Sequence, residues 1–163
     1  MEKPLILVVD DDAEVAMSIS EVIIDSGRYD AASASSGEGA LDIIRKNRGF
    51  LGIAQNKVKL VLLDIRMPGM NGIEFLDKLK AEVDARIDVI MVTAFDDVEN
   101  WADTFFSHDI VSFITKPVNR KELTDIIDRY FRGEKEEIKK DTIWDFRRKG
   151  VFEDIRKITG EKP

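Results

Sequence analysis

Aspartates stand at the ends of two apolar runs in this chain. Asp10, Asp11 and Asp12 follow LILVV (Leu5–Val9), while Asp64 follows LVLL (Leu60–Leu63) and opens the loop-forming stretch IRMPGMNG. A carboxylate at the end of a buried strand is a helix cap, a metal ligand or a nucleophile, and neither stretch alone decides which. Two more reactive side chains occupy matching places, Thr93 after DVIMV (Asp88–Val92) and Lys116 just beyond IVSFI (Ile110–Ile114). Carboxylates crowded within a few ångströms repel, which raises at least one pKa unless a cation compensates, and a hard divalent ion is the natural compensation. With an ammonium and a hydroxyl opposite, such a set suits a phosphoryl group.

Whether these groups meet depends on the elements that carry them. The four runs are continuously apolar and do not alternate, the pattern of strands covered on both faces in a parallel sheet. The weaker YDAASA (Tyr29–Ala34) suits an edge strand. Between the strands lie helical patterns: Val15, Ile19, Val22 and Ile23; GEGALDIIRK after Ser36; GIEFLDKLKAEVD after Asn71; Val98, Trp101, Ala102 and Phe105; and Leu123, Ile126, Ile127 and Tyr130 after Asn119. Ser36 and Asn71 suit N-caps. Five alternations of strand and helix predict a doubly wound α/β fold, with ligands outside the carboxyl ends of the strands. A strand order of 2-1-3-4-5 makes strands 1 and 3 neighbours, so their acids converge. Asn47 to Lys59 reads as an extended helix end plus loop.

Bulk properties narrow the function. The 163 residues suit one domain with an appendage, and 44% hydrophobic with 35% charged residues describes a globular protein. No apolar run approaches the roughly 18 residues of a membrane span, and the N-terminus meets acids too early for a signal peptide, so the expectation is a cytoplasmic protein without membrane contact. The absence of cysteine and the single histidine, His108, exclude thiolate and multi-histidine metal sites. A net charge of −7 argues against direct nucleic-acid binding. The charge-dense residues after about Glu134 carry Ile138, Ile143, Trp144 and Phe146, which points to a helix docking on the domain itself or mediating a homodimer.

Taken together, VVDDD (Val8–Asp12), LLDIRMPGMNG (Leu62–Gly72), MVTA (Met91–Ala94) and FITKP (Phe113–Pro117) resemble the motif series of the receiver domains of two-component response regulators, over roughly Leu5 to Arg132. The resemblance implies a flavodoxin-like five-stranded parallel sheet flanked by five helices, a receiver domain over residues 1–132 and a C-terminal helical extension over 133–163. It implies a signalling protein, not an enzyme with a separate substrate, that takes a phosphoryl group from a sensor histidine kinase or phosphotransfer protein onto Asp64 in a magnesium-dependent reaction. Asp11 is then a direct magnesium ligand, Asp10 helps through water or a secondary contact, and the Arg66 carbonyl completes the metal set with Asp64. Thr93 senses the phosphoryl oxygen, Lys116 pairs with it, and Phe113 holds the switch-aromatic position that reshapes the surface of helix 4, strand 5 and helix 5 for a downstream effector. Lys116–Pro117 matches a cis peptide bond of the family. Two departures stand out. Arg66 and Phe95 are bulky where the family tunes water access, which predicts a long-lived phosphoryl state, and SHDIVSF (Ser107–Phe113) lacks a small pair before strand 5.

Plainer readings compete with these. Asp10 to Asp12 can merely cap helix 1; Phe113 can be core; Trp101, Phe105 and Phe106 can pack helix 4 inward; Met67 and Met70 can fill gaps. His108 receives no role. A haloacid-dehalogenase-like phosphatase also uses a strand-end Asp in D-x-D, which Asp10 and Asp12 mimic, although Glu14 is out of place there and MPGMNG is left unexplained. A degenerate receiver acting only in binding would lack the acceptor or the lysine.

Overall fold

A computed structural model describes residues 2–48, 55–83, 86–94 and 102–148. Five parallel strands, β1 (Leu5–Val9), β2 (Asp30–Ala34), β3 (Val58–Leu63), β4 (Asp88–Ala94) and β5 (Ser112–Lys116), form one sheet in the order β2-β1-β3-β4-β5. The helices are α1 (Ala13–Asp25), α2 (Gly37–Lys46), α3 (Gly72–Lys78), α4 (Ala102–Ser107), α5 (Arg120–Phe131) and α6 (Lys135–Arg148). This is the flavodoxin-like arrangement expected from the alternation of strand and helix.

The apolar runs are buried on both faces, as their lack of alternation predicts. Leu7, Val9, Val61, Leu63, Val89 and Met91 face one core with Leu41, Ile44, Phe75 and Leu76 from α2 and α3. Ile6, Val8, Leu60, Leu62, Ile90 and Val92 face the other, with Ile19 and Ile23 from α1 and Leu123 and Ile127 from α5. β2 is half-exposed, in keeping with its weaker composition and its edge position.

Helix starts follow their caps. Asp12, Ser36, Asn71 and Asn119 each accept backbone N–H groups of α1, α2, α3 and α5, and Asn71 forms a full capping box with Glu74. Several boundaries differ from the sequence reading. α2 stops at Lys46, where Asn47 turns both its amide and its side chain onto the Ile43 carbonyl, so the helix end is not extended; residues 49–54 lie outside the described residues. The third helix is α-helical only to Lys78 and continues as a π-helical turn over Leu79–Val83. Of the fourth helical pattern, Val98 and Trp101 lie outside the described residues; Phe105 is buried as expected, but Phe106 is exposed. Met67 and Met70 are buried, and the Met70 thioether lies directly over Gly37.

The C-terminal extension folds back as α6 after a turn at Gly133, whose φ of 85° is the left-handed region that glycine tolerates. Its inward residues are Ile138, Thr142 and Phe146, spaced one helical turn apart. Ile138 joins the core on the α1 and α5 side, whereas Phe146 joins the opposite core. α6 thus crosses the outer edge of β5 and supplies the cover that an unpaired edge strand needs. Burial of each apolar side chain contributes roughly 1.5–3 kcal/mol before ordering costs.

The site loop after β3 depends on a close approach at α3. The amide of Gly72 donates to the Ile65 carbonyl at 2.9 Å, and a Cβ at Gly72 would meet Ile65 Cα at 2.7 Å and the Asp64 carbonyl oxygen at 3.1 Å. Gly72→Ala is therefore expected to destabilise the chain by about 1–3 kcal/mol, the scale of overpacking against backbone. Urea unfolding measures the change, and an unaltered midpoint would show that the loop yields freely.

Candidate functional site

Strand register brings the sequence-distant acids together. β1 and β3 pair with Val9 opposite Leu63, so Asp10 and Asp64 leave the sheet at the same level. Their backbones are fixed there: the Asp64 amide donates to the Val9 carbonyl at 2.8 Å, and the Asp10 amide to the Ala34 carbonyl at 3.1 Å. β4 and β5 pair with Thr93 opposite Thr115 and Ala94 opposite Lys116, which carries the lysine to the same rim. Lys116 Nζ lies 2.7 Å from Asp10 Oδ2 and 3.4 Å from Asp64 Oδ2. The carboxylate oxygens of Asp10, Asp11 and Asp64 lie within 4.8 Å of one another.

The aspartate triplet divides its work. Asp10 is buried at 2% exposure and accepts the Asp12 amide on Oδ1 at 2.9 Å. Asp11 is exposed and joins the cluster from the solvent side. Asp12 turns away and caps α1, accepting the amides of Glu14 and Val15 at 3.0 and 3.2 Å. Asp12 thus takes the capping role, whereas Asp10 and Asp11 stand beside Asp64, where a cation could be held.

Among the described residues, Lys116 is the ammonium that faces both Asp10 and Asp64. Asp64 is 6% exposed and accepts one amide, that of Arg66, on Oδ1 at 3.2 Å. Burial pushes the Asp64 carboxyl above the usual carboxylate range. Lys116 pulls it back and the charge of Asp10 pushes it further up, and the net shift is upward. For Lys116, burial works against the ammonium, but the hydrogen bond to Asp10 and the charge of Asp64 outweigh it and raise its pKa. The lysine sits closer to Asp10, so Asp64 is the less neutralised of the two. The donor set contains three carboxylates and neither nitrogen nor sulfur, which fits a hard divalent cation such as magnesium.

Other expected residues lie around this centre. Thr93 is 1% exposed, next to the end of β4. Phe113 is half-buried on β5, its ring centroid 5.7 Å from that of Phe105 and 5.3 Å from that of Phe146. The Arg66 side chain is exposed, whereas Phe95 lies outside the described residues. The Lys116–Pro117 peptide is cis, as the resemblance implies. His108 bridges Ser107 and Asp77, away from the acids. Sequence reasoning missed the contact of Ser112 with Thr142, whose hydroxyls lie 2.8 Å apart and buried. The spacing of 138, 142 and 146 was the available signal, but a threonine in a charged helix does not mark itself as core.

The order of strands and the rim of acids and lysine agree with what is found among known proteins. The response regulator receiver domain family matches residues 6–128. The chain belongs to this family. It is 34% identical over 125 residues to the sporulation initiation phosphotransferase F of Bacillus subtilis, covering 77% of this chain and 91% of that protein. A heme response regulator of Staphylococcus aureus is 35% identical over 117 residues, 72% of this chain but only 46% of the longer relative. Among solved structures, a response regulator receiver protein from Pseudomonas putida superposes with a TM-score of 0.67 at 26% identity, over 79% of this chain and 98% of that one. The protein is thus a receiver of two-component signalling, a family of signalling proteins. Among the described residues, no helix is long and apolar enough to cross a membrane.

The raised pKa of Asp64 has a consequence for stability. The folded receiver holds this proton more tightly than the unfolded chain, so the stability it confers is complete below the unfolded pKa and is lost as pH rises through the folded one. At pH 7 without divalent ions, ionised Asp64 therefore costs stability. Asp64→Asn is expected to raise the melting temperature in EDTA by roughly 2–4 °C, the effect of about 1 kcal/mol at this chain length. Thermal unfolding at pH 7 checks this, and a lower melting temperature would show that the pairing with Lys116 outweighs burial.

Proposed function

We propose that this receiver accepts a phosphoryl group on Asp64 from a phosphohistidine of a sensor histidine kinase or phosphotransfer protein, and passes the signal on through protein contacts. The observation that carries the reading is the under-neutralised, buried Asp64 carboxylate held between Lys116 and a second acid at the sheet's carboxyl rim. At neutral pH that carboxylate is the nucleophile. Its oxygen forms a bond to phosphorus while the P–N bond breaks, and the electron pair returns to the imidazole nitrogen. An acyl phosphate results.

The chain's own groups then meet the new charge. Lys116 turns from Asp10 toward the phosphoryl oxygens, and the Thr93 hydroxyl donates to another of them. Asp10, Asp11 and Asp64, with the Arg66 carbonyl, are the residues that would hold magnesium, which supplies positive charge to the transferring oxygens when bound. Loss of the signal is attack of water on the same phosphorus, which restores Asp64. Arg66, two residues after Asp64 and bulky, slows that attack. Residues 1–132 form the unit that carries this chemistry, and residues 133–163 are its appendage. The surface of helix 4, strand 5 and helix 5 is the one that changes.

The phosphatase reading has an observation against it. Asp12, the second acid of its D-x-D, is committed to capping α1. A purely binding receiver is disfavoured because acceptor and lysine are both present.

With acetyl phosphate and magnesium, the expected result is one phosphoryl group per chain by intact mass spectrometry. Labelling is lost on Asp64→Asn or in excess EDTA, and is slowed by about 10²-fold or more on Lys116→Ala. Steady turnover of p-nitrophenyl phosphate, or full labelling of Asp64→Asn, would overturn the reading. Arg66→Ala is expected to shorten the lifetime of the phosphorylated chain several-fold, followed by loss of the mass adduct with time. An unchanged lifetime would remove any role for Arg66 in excluding water.

A further inference from the structure

The helix α6 lies where a partner of this domain would meet β5. Its grip on the rest of the molecule has two parts. Buried across the strand edge are Ile138, Thr142 and Phe146, with the Thr142 hydroxyl against that of Ser112 and the Phe146 ring against Phe113 and Phe105, centroids 5.3 and 5.8 Å apart. Outside, ion pairs hold it: Lys135 to Asp88 at 2.7 Å and to Asp109 at 3.1 Å, Lys139 to Asp109, and Asp141 to Arg129 at 2.7 Å.

The grip is incomplete. An open cleft of about 300 Å³ runs between α6, β5 and α5, lined by charged side chains such as Glu122, Arg129 and Asp141 as well as by Phe113, Ile138 and Phe146. Solvent therefore reaches one flank of α6, which lacks the close packing of an interior on that side. Of the ion pairs, Lys135–Asp88 is partly buried, whereas the carboxylates of Asp109 and Asp141 are open to solvent and their pairs are screened by salt. α6 holds to β5 through side chains, with β4 as the only strand paired to β5 among the described residues, so it opens at lower cost than the sheet does.

The same interface is joined to the aspartyl rim through the short strand β5, and Lys135 also reaches Asp88 at the start of β4. β5 has five residues, and Phe113 stands three before Lys116. Register ties Met91 to Phe113 and Thr93 to Thr115. Any rearrangement of Lys116 and Thr93 around a new dianion on Asp64 is passed along β5 to the ring that Phe146 rests on.

We propose that α6 is a displaceable cover of the β5 edge, docked while Asp64 is unmodified and released when Asp64 is phosphorylated, so that the surface a partner meets is the one α6 vacates. This rests on Asp64 being the phosphoacceptor. Release exposes Phe113, Ile138 and Phe146 together. By linkage, whatever loosens α6 favours the phosphorylated state by the same factor.

Amide hydrogen exchange of the full chain tests this, with beryllofluoride and magnesium as the phosphoryl mimic. Protection over residues 135–148 is expected to fall by roughly 5-fold or more on adding the mimic, within the usual 5- to 150-fold span of coupling between two sites. Phe146→Ala and Lys139→Glu are each expected to raise exchange in α6 without the mimic and to tighten beryllofluoride binding by a matching factor. If amides at 64–67 respond to the mimic while α6 does not, the cover is not coupled and the inference fails while the phosphoacceptor reading stands. Variants that loosen α6 yet leave beryllofluoride affinity unchanged overturn it equally. If no amide responds and acetyl phosphate leaves the chain unlabelled, the phosphoacceptor reading fails and takes the inference with it.

Discussion

Among the described residues, two buried carboxylates share the Lys116 ammonium at the rim of this sheet, and the rest of the site follows from that sharing. Lys116 lies 2.7 Å from Asp10 but 3.4 Å from Asp64. Burial strengthens every electrostatic term there, so the unmatched negative charge is costly and reactive at once. A fold selected only for stability would replace one acid with an apolar residue. The retained imbalance is what a divalent cation relieves and what a nucleophilic carboxylate requires. That imbalance, on which the proposed chemistry draws, is held in place by the backbone hydrogen bonds that the Asp64 and Asp10 amides donate to the Val9 and Ala34 carbonyls.

Much of this was legible in the sequence because the fold writes it redundantly. Continuous apolar runs gave the buried strands. Polar residues just ahead of periodic segments gave the caps at Ser36 and Asn71, and the start of the fifth helix after Asn119. Once each reactive residue is seen to follow a strand of a parallel sheet, convergence at one rim follows from topology alone. Other features were not legible. Asp11 and Asp12 are chemically identical neighbours, and only the backbone angle at the start of α1 sends one to the rim and the other to the helix. The end of α2 at Lys46 and the π-helical turn after Lys78 are set by how the chain must pack, not by propensity. The burial of Thr142 depends on one hydroxyl, that of Ser112, lying opposite it.

Positions outside the acid cluster are constrained by it. Gly72 admits no side chain because α3 begins directly against the backbone of Asp64 and Ile65. Asn71 and Glu74 lock that start with a reciprocal pair of hydrogen bonds. The loop following Asp64 is thereby anchored at both ends, by β3 and by a capped helix. A nucleophile displaced by an ångström loses most of its advantage, so this rigidity belongs to the chemistry as much as to the fold.

Rigidity at the acceptor leaves the question of which element can move in response. β1, β3 and β4 each pair with two neighbours and lie between two cores, so shifting any of them breaks two ladders and both packing surfaces. β2 pairs on one side only but contributes no reactive side chain. β5 alone combines a reactive residue, Lys116, with a single strand partner. Its other edge meets side chains of α6, whose rings and hydroxyls part at lower cost than a backbone ladder. On the proposed function, a signal generated at Asp64 would leave through β5, which joins Lys116 to a single strand partner.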